Sequence, residues 1–385
     1  MNLLDKYKRE LEYCTFCPRL CRFECPVALV EYNETYTPTS KMMLVYMAEK
    51  GSVKMDAVKE AFYMCVDCKH CITPCIHRID VPKVLIVARA KVYESGIADD
   101  NIKRFNTSLE KSDHPYSHIM EDNLDDVLSY LKRENVVSGE TNKGNTGEGK
   151  ADTTQRVLYF PGCTALRFYK ELVKGTVNLL NRLDIHADVI DKPICCGYPG
   201  YAAGNIEWFK KTAEKLTRIL DNYDVVVSTC PTCINTFKNI YHRYGIDIKA
   251  KPFHLLEYIA PRVKSLLSST GKEARSVAYH DPCHLGRHLG VYDAPRELID
   301  VLFDKRIEFQ WSKEDANCCG GGGDLPLTHP KTSERIAGKR MKEFKETGAE
   351  LLLTACPSCV RWLQKADASI KVMDITEVLI NRLTK

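Results

Sequence analysis

From residue 156 to the end of the chain, short apolar runs alternate with longer stretches of helical period. Runs such as 225–228 (VVVS) and 351–354 (LLLT) are β-branched or leucine-rich, which predicts strands buried in a parallel sheet. Between them, stretches such as 208–220 and 333–347 repeat apolar residues every three or four positions, as amphipathic helices do. The pattern predicts small layered units in which helices cover a parallel sheet.

This part of the chain is also an internal duplication. The first copy contains 157–163 (VLYFPGC), 194–204 (ICCGYPGYAAG), 225–233 (VVVSTCPTC) and 253–259 (FHLLEYI). The second contains 277–283 (VAYHDPC), 317–326 (NCCGGGGDLP), 351–359 (LLLTACPSC) and 372–380 (VMDITEVLI). The leading cysteines, Cys163 and Cys283, lie 120 positions apart. That period is one domain per copy, since solenoid repeats are far shorter.

The pattern divides the chain into four parts. The predicted parts are a cysteine-rich module at 1–105, a connector at 106–155, the first copy at 156–272 and the second at 273–385. Within the connector we predict a helix around residues 113–135. Residues 138–155 (SGETNKGNTGEGKADTTQ) are glycine, threonine and charge with almost nothing apolar, which predicts a flexible linker.

Composition and charge exclude some classes of function. A chain of 385 residues suggests two or three domains, and a net charge of +4 does not indicate nucleic-acid binding. No stretch approaches the roughly 18 apolar residues of a membrane-spanning helix. The charged start of the chain lacks a signal-peptide core. We therefore expect a cytoplasmic protein that meets a membrane only through a partner.

The cysteines carry the candidate chemistry. Eighteen cysteines would suggest disulfides in a small secreted domain, but a reducing cytosol keeps thiols free. Buried structural cysteines would be scattered singly along the chain. Here they are clustered, which indicates metal binding.

Two runs near the N-terminus have the spacing of iron–sulfur ligands. They are Cys14-x2-Cys17-x3-Cys21-x3-Cys25-Pro26 and Cys65-x2-Cys68-x2-Cys71-x3-Cys75. In two-cluster ferredoxins three cysteines of a run wrap one cluster and the fourth ligates the other. On that rule one cluster is held by Cys14, Cys17, Cys21 and Cys75. The other is held by Cys65, Cys68, Cys71 and Cys25.

The runs depart from the ferredoxin spacing in two places. The first has an extra residue before Cys21, and the second has Ile76 where proline is usual. The competing interpretation is a pair of structural zinc sites, which usually draw ligand pairs from separated knuckles. Four thiols within eleven or twelve residues favour iron–sulfur clusters.

Each copy of the duplication offers five further cysteines: a leading one, an adjacent pair and a Cys-Pro-x-Cys. They are Cys163, Cys195, Cys196, Cys230 and Cys233 in the first copy, and Cys283, Cys318, Cys319, Cys356 and Cys359 in the second. All follow apolar strands or lie in glycine-rich turns, so we expect them to converge beyond one end of each sheet. Proline after Cys230 predicts a helix start, where thiolate is favoured over thiol.

Two other interpretations of these cysteines are weaker. A Cys-Pro-x-Cys alone would suit a thioredoxin-like dithiol. Its double occurrence, each time after a lone cysteine and a Cys-Cys-Gly, favours a metal site. Adjacent cysteines rarely bind a single zinc, because neighbouring side chains diverge.

The repeated pattern resembles the cysteine-rich "CCG" domains of heterodisulfide reductase. The phrase 281–287 (DPCHLGR) is also similar to that family. A ferredoxin module followed by two such domains resembles the heterodisulfide reductase D subunit. It likewise resembles iron–sulfur subunits of glycolate oxidase, anaerobic glycerol-3-phosphate dehydrogenase and lactate-utilisation complexes.

The resemblance implies a fold and a set of cofactors. The expected fold class is a multidomain α+β/α/β chain, with an α-helical two-cluster ferredoxin module before two small α/β domains. The expected cofactors are two [4Fe-4S] cubanes and one or two further clusters, noncubane in that family, in the duplicated domains. We find no flavin or nicotinamide motif: the tetraglycine 320–323 lacks the third glycine of a dinucleotide fingerprint.

The second copy is our predicted reactive end, because of its Asp-Pro-Cys-His and tetraglycine segments. The predicted catalytic residues are Cys283, Cys318, Cys319, Cys356, Cys359 and His284. His280 and His284 either donate a proton or a hydrogen bond near the cysteines, or have a structural role in a turn, and the sequence favours neither. We predict that Asp281 caps a helix near Leu285. Arg287 either holds negative charge or forms a surface pair.

Other polar residues near the cysteines are predicted to be structural. His254 and Glu257 belong to a predicted helix, and Tyr198 and Tyr201 are expected to pack beside the first Cys-Cys-Gly.

The leading functional hypothesis is an iron–sulfur electron-transfer subunit of a heterodisulfide-reductase-like oxidoreductase that reduces a small disulfide. The alternative is the iron–sulfur subunit of a flavin-dependent glycolate, lactate or glycerol-3-phosphate dehydrogenase that feeds quinone or a membrane cytochrome. A third, from another class, is a zinc scaffold without redox activity. The expected partners are a flavoprotein, a cytochrome b-type membrane protein or both.

Overall fold

The computed structural model describes residues 3–116, 118–134, 155–267 and 271–383. The predicted linker at 138–155 lies outside these residues except for its last one. Within the described ranges, no helix combines the length and apolar composition needed to cross a membrane.

The N-terminal part is helical and surrounds the two cysteine runs. Its helices are α1 (Leu3–Thr15), α2 (Pro26–Glu31), α3 (Pro38–Glu49), α4 (Met55–Tyr63), α5 (Val81–Glu94), α6 (Asp100–Ser112) and α7 (Ile119–Arg133). Short 3₁₀ turns at Leu20–Phe23 and His70–Ile72 carry cysteines. Proline opens α2, and Asp80 caps α5 by accepting from the Lys83 N–H at 3.2 Å, so local sequence sets these helix starts.

The predicted helix around 113–135 begins later than expected. Asp113 ends α6 in the left-handed conformation, with φ of 57°, and its backbone bonds back to Leu109. A turn follows, and α7 begins at Ile119. The helix α6 also spans the predicted boundary at residue 105.

Each copy of the duplication folds into a four-stranded parallel sheet, as the apolar runs predicted. The first sheet has the order β2-β1-β3-β4, with β1 (Val157–Tyr159), β2 (Ala187–Val189), β3 (Val225–Ser228) and β4 (Lys251–His254). The second has the order β6-β5-β7-β8, with β5 (Glu273–His280), β6 (Phe303–Ile307), β7 (Leu351–Thr354) and β8 (Val372–Asp374). The two central strands pair in the same register, Val157 with Val225 and Val277 with Leu351.

Helices cover both sheets. Those of the first copy are α8 (Cys163–Phe168), α9 (Lys170–Arg182), α10 (Tyr198–Ala203), α11 (Ile206–Leu220), α12 (Pro231–Asn235), α13 (Tyr241–Arg243) and α14 (Leu255–Leu267). Those of the second are α15 (Asp293–Leu302), α16 (Leu325–Thr328), α17 (Pro330–Thr347), α18 (Pro357–Ala366) and α19 (Ile375–Leu383). A π-helical stretch, Thr236–Ile240, joins α12 to α13.

The two copies share one hydrophobic core. Apolar residues of β1 and β3 lie in the same buried cluster as those of β5 and β7. The helix α9 packs on α19 of the other copy, and α14 packs on α15. Gly175 allows the first of these contacts, because a Cβ there would lie 2.8 Å from Ile380. The chain is therefore mixed α/β, with two parallel sheets that share a core and are joined through helix contacts.

Candidate iron–sulfur centre

The first ferredoxin-like group brings four thiols together at the end of α1. Burial raises the pKa of Cys14 to about 12, and the neighbouring thiols of Cys21, Cys75 and Cys17 contribute to that rise. Cys17 also accepts a hydrogen bond from the Arg19 N–H at 3.4 Å. We call Cys14, Cys17, Cys21 and Cys75 the outer group, because three of them are partly exposed.

The second group lies deeper. Burial raises the pKa of Cys71 well above its ordinary value, and the thiols of Cys68, Cys65 and Cys25 add to the shift. Cys25 immediately precedes α2, whereas the other three occupy the loop after α4. We call Cys65, Cys68, Cys71 and Cys25 the inner group. Cys75 thus lies near the thiols of the first run and Cys25 near those of the second, and the crossed ligand sets stay a prediction.

In the first copy, five cysteines converge beyond the sheet, where β1 and β3 end. Cys163 opens α8, Cys230 precedes α12, and the Sγ atoms of Cys195 and Cys163 lie 4.0 Å apart. Hydrogen bonds from the thiols of Cys195 and Cys233 lower the pKa of Cys196 well below its ordinary value. Their surroundings are aromatic: Phe160, Phe237 and Tyr241 lie in the same buried cluster as these thiols.

In the second copy, the five cysteines have polar neighbours. The Sγ atoms of Cys359 and Cys319 lie 3.3 Å apart. A ring nitrogen of His280 lies within 4.8 Å of both sulfurs. The Nδ1 of His280 accepts from the Arg340 Nε at 3.1 Å, which leaves Nε2 as the protonated nitrogen. Hydrogen bonds from Cys318 and Cys359 lower the pKa of Cys319 well below its ordinary value.

The inner group contacts the second copy directly. Cys25 and Cys68 lie in the same buried cluster as Cys318, and the neighbouring Cys318 thiol raises the pKa of Cys68 well above its ordinary value. Cys318 in turn is hydrogen-bonded to Cys283 and Cys319. The outer group, the inner group and the second copy therefore form a continuous series of thiols.

Four of the five cysteines of each copy, all except Cys195 and Cys318, line one cavity of about 390 Å³ between the two copies. The lining is mostly apolar and includes Tyr116, Tyr198, Trp362 and the tetraglycine segment. His284 and Arg361 bring polar groups to it. Sequence reasoning predicted that the cysteines gather at sheet ends, but not that the two sheets face one another across a shared space.

Several predicted side chains have different contacts from those expected. The helix cap proposed for Asp281 is wrong: its carboxylate accepts two hydrogen bonds from Arg296, at 2.7 and 2.9 Å, and one from the Lys313 N–H. The residues after Pro282 form turns, in which Leu285 N–H bonds back to Pro282 O, so no helix starts there. Asp281 instead fixes the loop before the Cys318–Cys319 pair.

Arg287 is not a surface residue. Its guanidinium is buried and donates to the carbonyls of Cys68, Ala316 and Glu314, at 2.6, 2.7 and 2.9 Å. The first of the two interpretations, a cation beside the cysteines, therefore describes its position.

His284 lies where the ferredoxin-like module meets both copies of the duplication. Its ring stacks on His288 with centroids 4.1 Å apart, and its Nε2 lies 3.8 Å from an Asp67 carboxylate oxygen. Tyr198 donates to the same carboxylate at 2.9 Å. His284 thus borders the cavity while tying the ferredoxin-like loop to both copies.

The remaining predicted residues are structural, with one change of element. His254 lies at the end of β4 rather than in a helix, and burial lowers its pKa to about 4. Tyr201 packs edge-on against Tyr244. The residues that sequence reasoning underrated are His280 and Arg340. An alignment of residues 157–163 with 277–283 could have identified His280, because it stands where the first copy has Phe160.

Two known domain families match the cysteine-rich N-terminal part and both copies of the duplication. The "4Fe-4S dicluster domain" family matches residues 10–79, and the "Cysteine-rich domain" (CCG) family matches residues 157–238 and 277–364. The chain therefore contains an iron–sulfur ferredoxin-type domain and two CCG domains, and it is an iron–sulfur electron-transfer protein.

The chain is similar to several curated proteins along most of its length. It is 25% identical to the B subunit of fumarate reductase (CoM/CoB) from Methanothermobacter marburgensis, over 96% of this chain and 72% of that protein. It is 28% identical to the D subunit of dihydromethanophenazine:CoB–CoM heterodisulfide reductase from Methanosarcina mazei, over 98% and 94%. Lactate utilization protein A of Bacillus subtilis is 29% identical over 59% of this chain and all of that protein.

A solved structure shares the fold. A hypothetical protein from Helicobacter pylori aligns with all of this chain and 76% of its own, with a TM-score of 0.52 and 9% sequence identity. At that identity the likeness supports the fold alone.

Proposed function

We propose that this chain, built from a 4Fe-4S dicluster domain and two CCG domains, is the iron–sulfur subunit of an oxidoreductase of the heterodisulfide-reductase type. It takes electrons at the outer group and uses them to reduce a small disulfide in the cavity. One observation carries the proposal: four of the five cysteines of each copy face the same cavity, and Cys318 of the second copy contacts the ferredoxin-type module.

The thiols fit iron–sulfur ligation in number, burial and surroundings. We propose four ligand sets: the outer group, the inner group, and the five cysteines of each copy. Backbone N–H groups already point at sulfur, as from Gly320 to Cys318 at 3.3 Å. Pro231 and Pro357 start helices immediately after Cys230 and Cys356, and helix N-termini favour thiolate. When bound, the clusters supply one-electron transfer, for which no ordinary side chain suffices.

The cavity suits a small disulfide. Its volume of about 390 Å³ is in the range of small-molecule sites, and its lining is largely apolar. The overall reaction is R–S–S–R′ + 2 e⁻ + 2 H⁺ → R–SH + R′–SH, in which the S–S bond breaks and each sulfur gains one electron and one proton. His284 borders the cavity beside Cys283, and burial lowers its pKa to about 3, so its ring is neutral at pH 7. Arg361, whose guanidinium lies 3.9 Å from the centroid of the Phe168 ring, offers a cation to an anionic substituent.

The outer group carries the docking surface for an electron donor. Large apolar side chains surround it in solvent: Phe16 is 81% exposed and Ile76 86%, and Tyr13, Leu20 and Phe23 are exposed beside them. Arginines border this apolar collar, including Arg9 over Tyr13 and Arg22 over Phe23. An apolar centre with a basic rim fits a redox partner whose own cofactor is rimmed by acidic residues. The relatives named as subunits support such a complex.

The test is disulfide reduction by the chain alone. Anaerobically purified protein is mixed with a chemically reduced viologen dye and a panel of low-molecular-weight disulfides, and dye oxidation is followed. We expect turnover with at least one disulfide and visible iron–sulfur absorbance. About four zinc atoms with no visible absorbance would contradict the proposal, because zinc carries no electrons.

A second function is favoured by the likeness to lactate utilization protein A, which covers 59% of this chain. In that case the chain carries electrons from a flavoprotein that oxidises a hydroxy acid, and the cavity holds no disulfide. No dye-driven turnover with any disulfide, together with co-purification of such a flavoprotein, would establish this function instead.

A further inference from the structure

Three cations, two of them buried (Lys41 and Arg89) and one half-buried (Arg287), surround the inner group, and within the described residues none of them forms an ion pair with a carboxylate. The first is Lys41, whose side chain is 2% exposed. Its Nζ donates to the Met64 carbonyl and lies 3.9 Å from the Cys25 Sγ. A lysine on the surface would simply be hydrated, but the hydrogen-bonding neighbours of this one in the described chain are a carbonyl and a cysteine sulfur.

The other two are arginines that donate hydrogen bonds to the loop containing Cys65 and Cys68. Arg89 donates to the carbonyls of Cys65, Phe62, Ala202 and Gly323, at 2.8 to 2.9 Å. Arg287 donates to the Cys68 carbonyl at 2.6 Å. Each of the three cations thus touches a different cysteine residue of the inner group.

Buried charges of this kind need a counter-charge. Removing an ammonium or guanidinium group from water costs several kcal/mol unless an opposite charge compensates it. The nearby acids Asp67 and Asp324 lie outside ion-pair distance of all three cations; Asp67 accepts from Tyr198 and faces His284 instead. Beside the longer-range attraction of Arg89 to Asp67 and Asp324 and of Arg287 to Glu24, the negative charge of four thiolates with iron would compensate the three cations.

The outer group differs in its charged neighbours. Arg22, next to Cys21 in sequence, is exposed and pairs with Glu34 at 3.4 Å. Charges in solvent act weakly on a redox centre because water and salt screen them. The outer group is itself partly in water, which already stabilises the additional negative charge of a reduced cluster. The inner group lacks that water, so burial alone would make it harder to reduce than the outer group.

We propose that Lys41, Arg89 and Arg287 act as positioning residues that raise the reduction potential of the inner group above that of the outer group. They offset the burial penalty because each keeps a full charge beside the cysteines in a medium that screens it little. Electrons that arrive at the outer group then move downhill to the inner group and on to Cys318. This inference rests on the proposed function, since it requires iron–sulfur clusters in both groups, and it adds the direction of electron flow.

The test is a redox titration of wild type and charge variants, followed by electron paramagnetic resonance. Lys41→Met removes one charge at nearly constant volume, and Arg287→Met removes another from the opposite side. Both should move the same signal to more negative potential, by at least tenfold in the one-electron equilibrium, about 59 mV. Arg287→Lys keeps the charge and should stay close to wild type. Arg22→Met removes an exposed charge beside the outer group and should move neither signal appreciably.

A further variant, Cys17→Ser, identifies which signal belongs to the outer group. The inference is overturned if the methionine variants bind wild-type amounts of iron and leave the inner signal in place, or if they move the outer signal instead. A chain that contains zinc and no iron would overturn the proposed function as well, and metal analysis distinguishes that result from the first. A methionine variant that loses iron from the inner group alone supports the counter-charge relation, because the outer signal then persists.

Discussion

The two CCG domains share a cysteine pattern, a sheet order and a core, yet their cysteines have different neighbours. In the first copy β1 leads to Phe160, which packs edge-on against Phe237 with centroids 5.3 Å apart. In the second copy the equivalent residue is His280, which faces Cys319 and Cys359 and is held by Arg340. At this position one site thus has an aromatic ring and the other a hydrogen-bonding imidazole.

Their connections to the ferredoxin-type module differ as well. Cys318 of the second copy packs with Cys25 and Cys68 of the inner group in one buried cluster. The first copy contacts the module through Arg89, Tyr63 and Asp67, and among the described residues none of its cysteines belongs to that cluster. Both copies of the duplication thus retain all five cysteines. Their different packing against the module gives the two sets different positions in the proposed electron route. On that route the second copy receives electrons, and the first copy meets it across the cavity.

The largest effect is expected from a ligand change in the second copy. Cys319→Ser should lower dye-driven disulfide turnover by more than about 100-fold. Even the loss of a residue that only hydrogen-bonds to a metal ligand costs about 10–100-fold in metal affinity or activity. The matched change in the first copy, Cys196→Ser, should cost less, since electrons still reach the cavity. Iron content and the ferredoxin-type signals report whether each variant has folded. Equal losses in the two variants would remove the distinction between the copies.

The next effect concerns the residue that distinguishes the two sites. His280→Phe gives the second copy the residue of the first, and it removes the partner of Arg340 and the ring beside Cys319. We expect turnover to fall about 10–100-fold and the second-copy paramagnetic signal to shift. The control is Phe160→Leu in the first copy, which should leave that signal unchanged. An unaltered second-copy signal in His280→Phe would show that the histidine is only structural.

The close approach of the second copy to the inner group depends on the tetraglycine segment. A Cβ on Gly322 would lie 2.5 Å from the Val66 carbonyl oxygen. Gly322→Ala should therefore separate the two parts and cost about 1–3 kcal/mol of stability. In Gly338→Ala, on α17, the added Cβ meets nothing within 4 Å, so stability should rise slightly. Chemical denaturation compares the two, and no loss in Gly322→Ala would contradict the packing.

A smaller predicted effect is the pH dependence of folding stability, which differs between the residues that end the last strand of each sheet. Asp374 ends β8 where His254 ends β4, and burial raises the Asp374 pKa to about 7. Its pKa in an unfolded chain is about 3.9, so the folded state favours the protonated acid. The stability from this group is full below about pH 4 and is lost as the pH rises to about 7.

For Asp374, that loss amounts to about 2 kcal/mol between about pH 5.5 and 7, at about 1.4 kcal/mol per unit. Asp374→Asn should remove this slope. His254, with its lowered pKa, gives the opposite slope, since its contribution is lost as the pH falls from about 6.5 towards 4. Denaturant midpoints of wild type and Asp374→Asn across this pH range measure the difference, and parallel curves would contradict the assignment.

Much of this architecture could be predicted from local sequence. Apolar runs such as Val225–Ser228 and Leu351–Thr354 predicted the parallel strands, because buried strands need continuous apolar residues. The ferredoxin spacing predicted the exchange of Cys25 and Cys75 between groups. Pro231 indicated the helix after the first Cys-Pro-x-Cys motif.

What could not be predicted depends on contacts between distant parts of the chain. The contact between Cys68 and Cys318 joins residues 250 positions apart, and no local pattern specifies it. Asp281 was expected to cap a helix because its type and position suit one, but Arg296, on α15, provides a stronger charged partner. The importance of Lys41 and Arg89 likewise arises from burial, which their sequence neighbours do not reveal.

The order in which the sites are reduced tests the account most directly. Rapid-freeze paramagnetic resonance, after mixing with a reduced donor, follows the signals of both copies in Cys196→Ser and Cys319→Ser. The account predicts that the second-copy signal of Cys196→Ser appears at the wild-type rate, whereas the first-copy signal of Cys319→Ser is strongly delayed. A first copy that is reduced at the wild-type rate in Cys319→Ser would contradict the proposed route through Cys318.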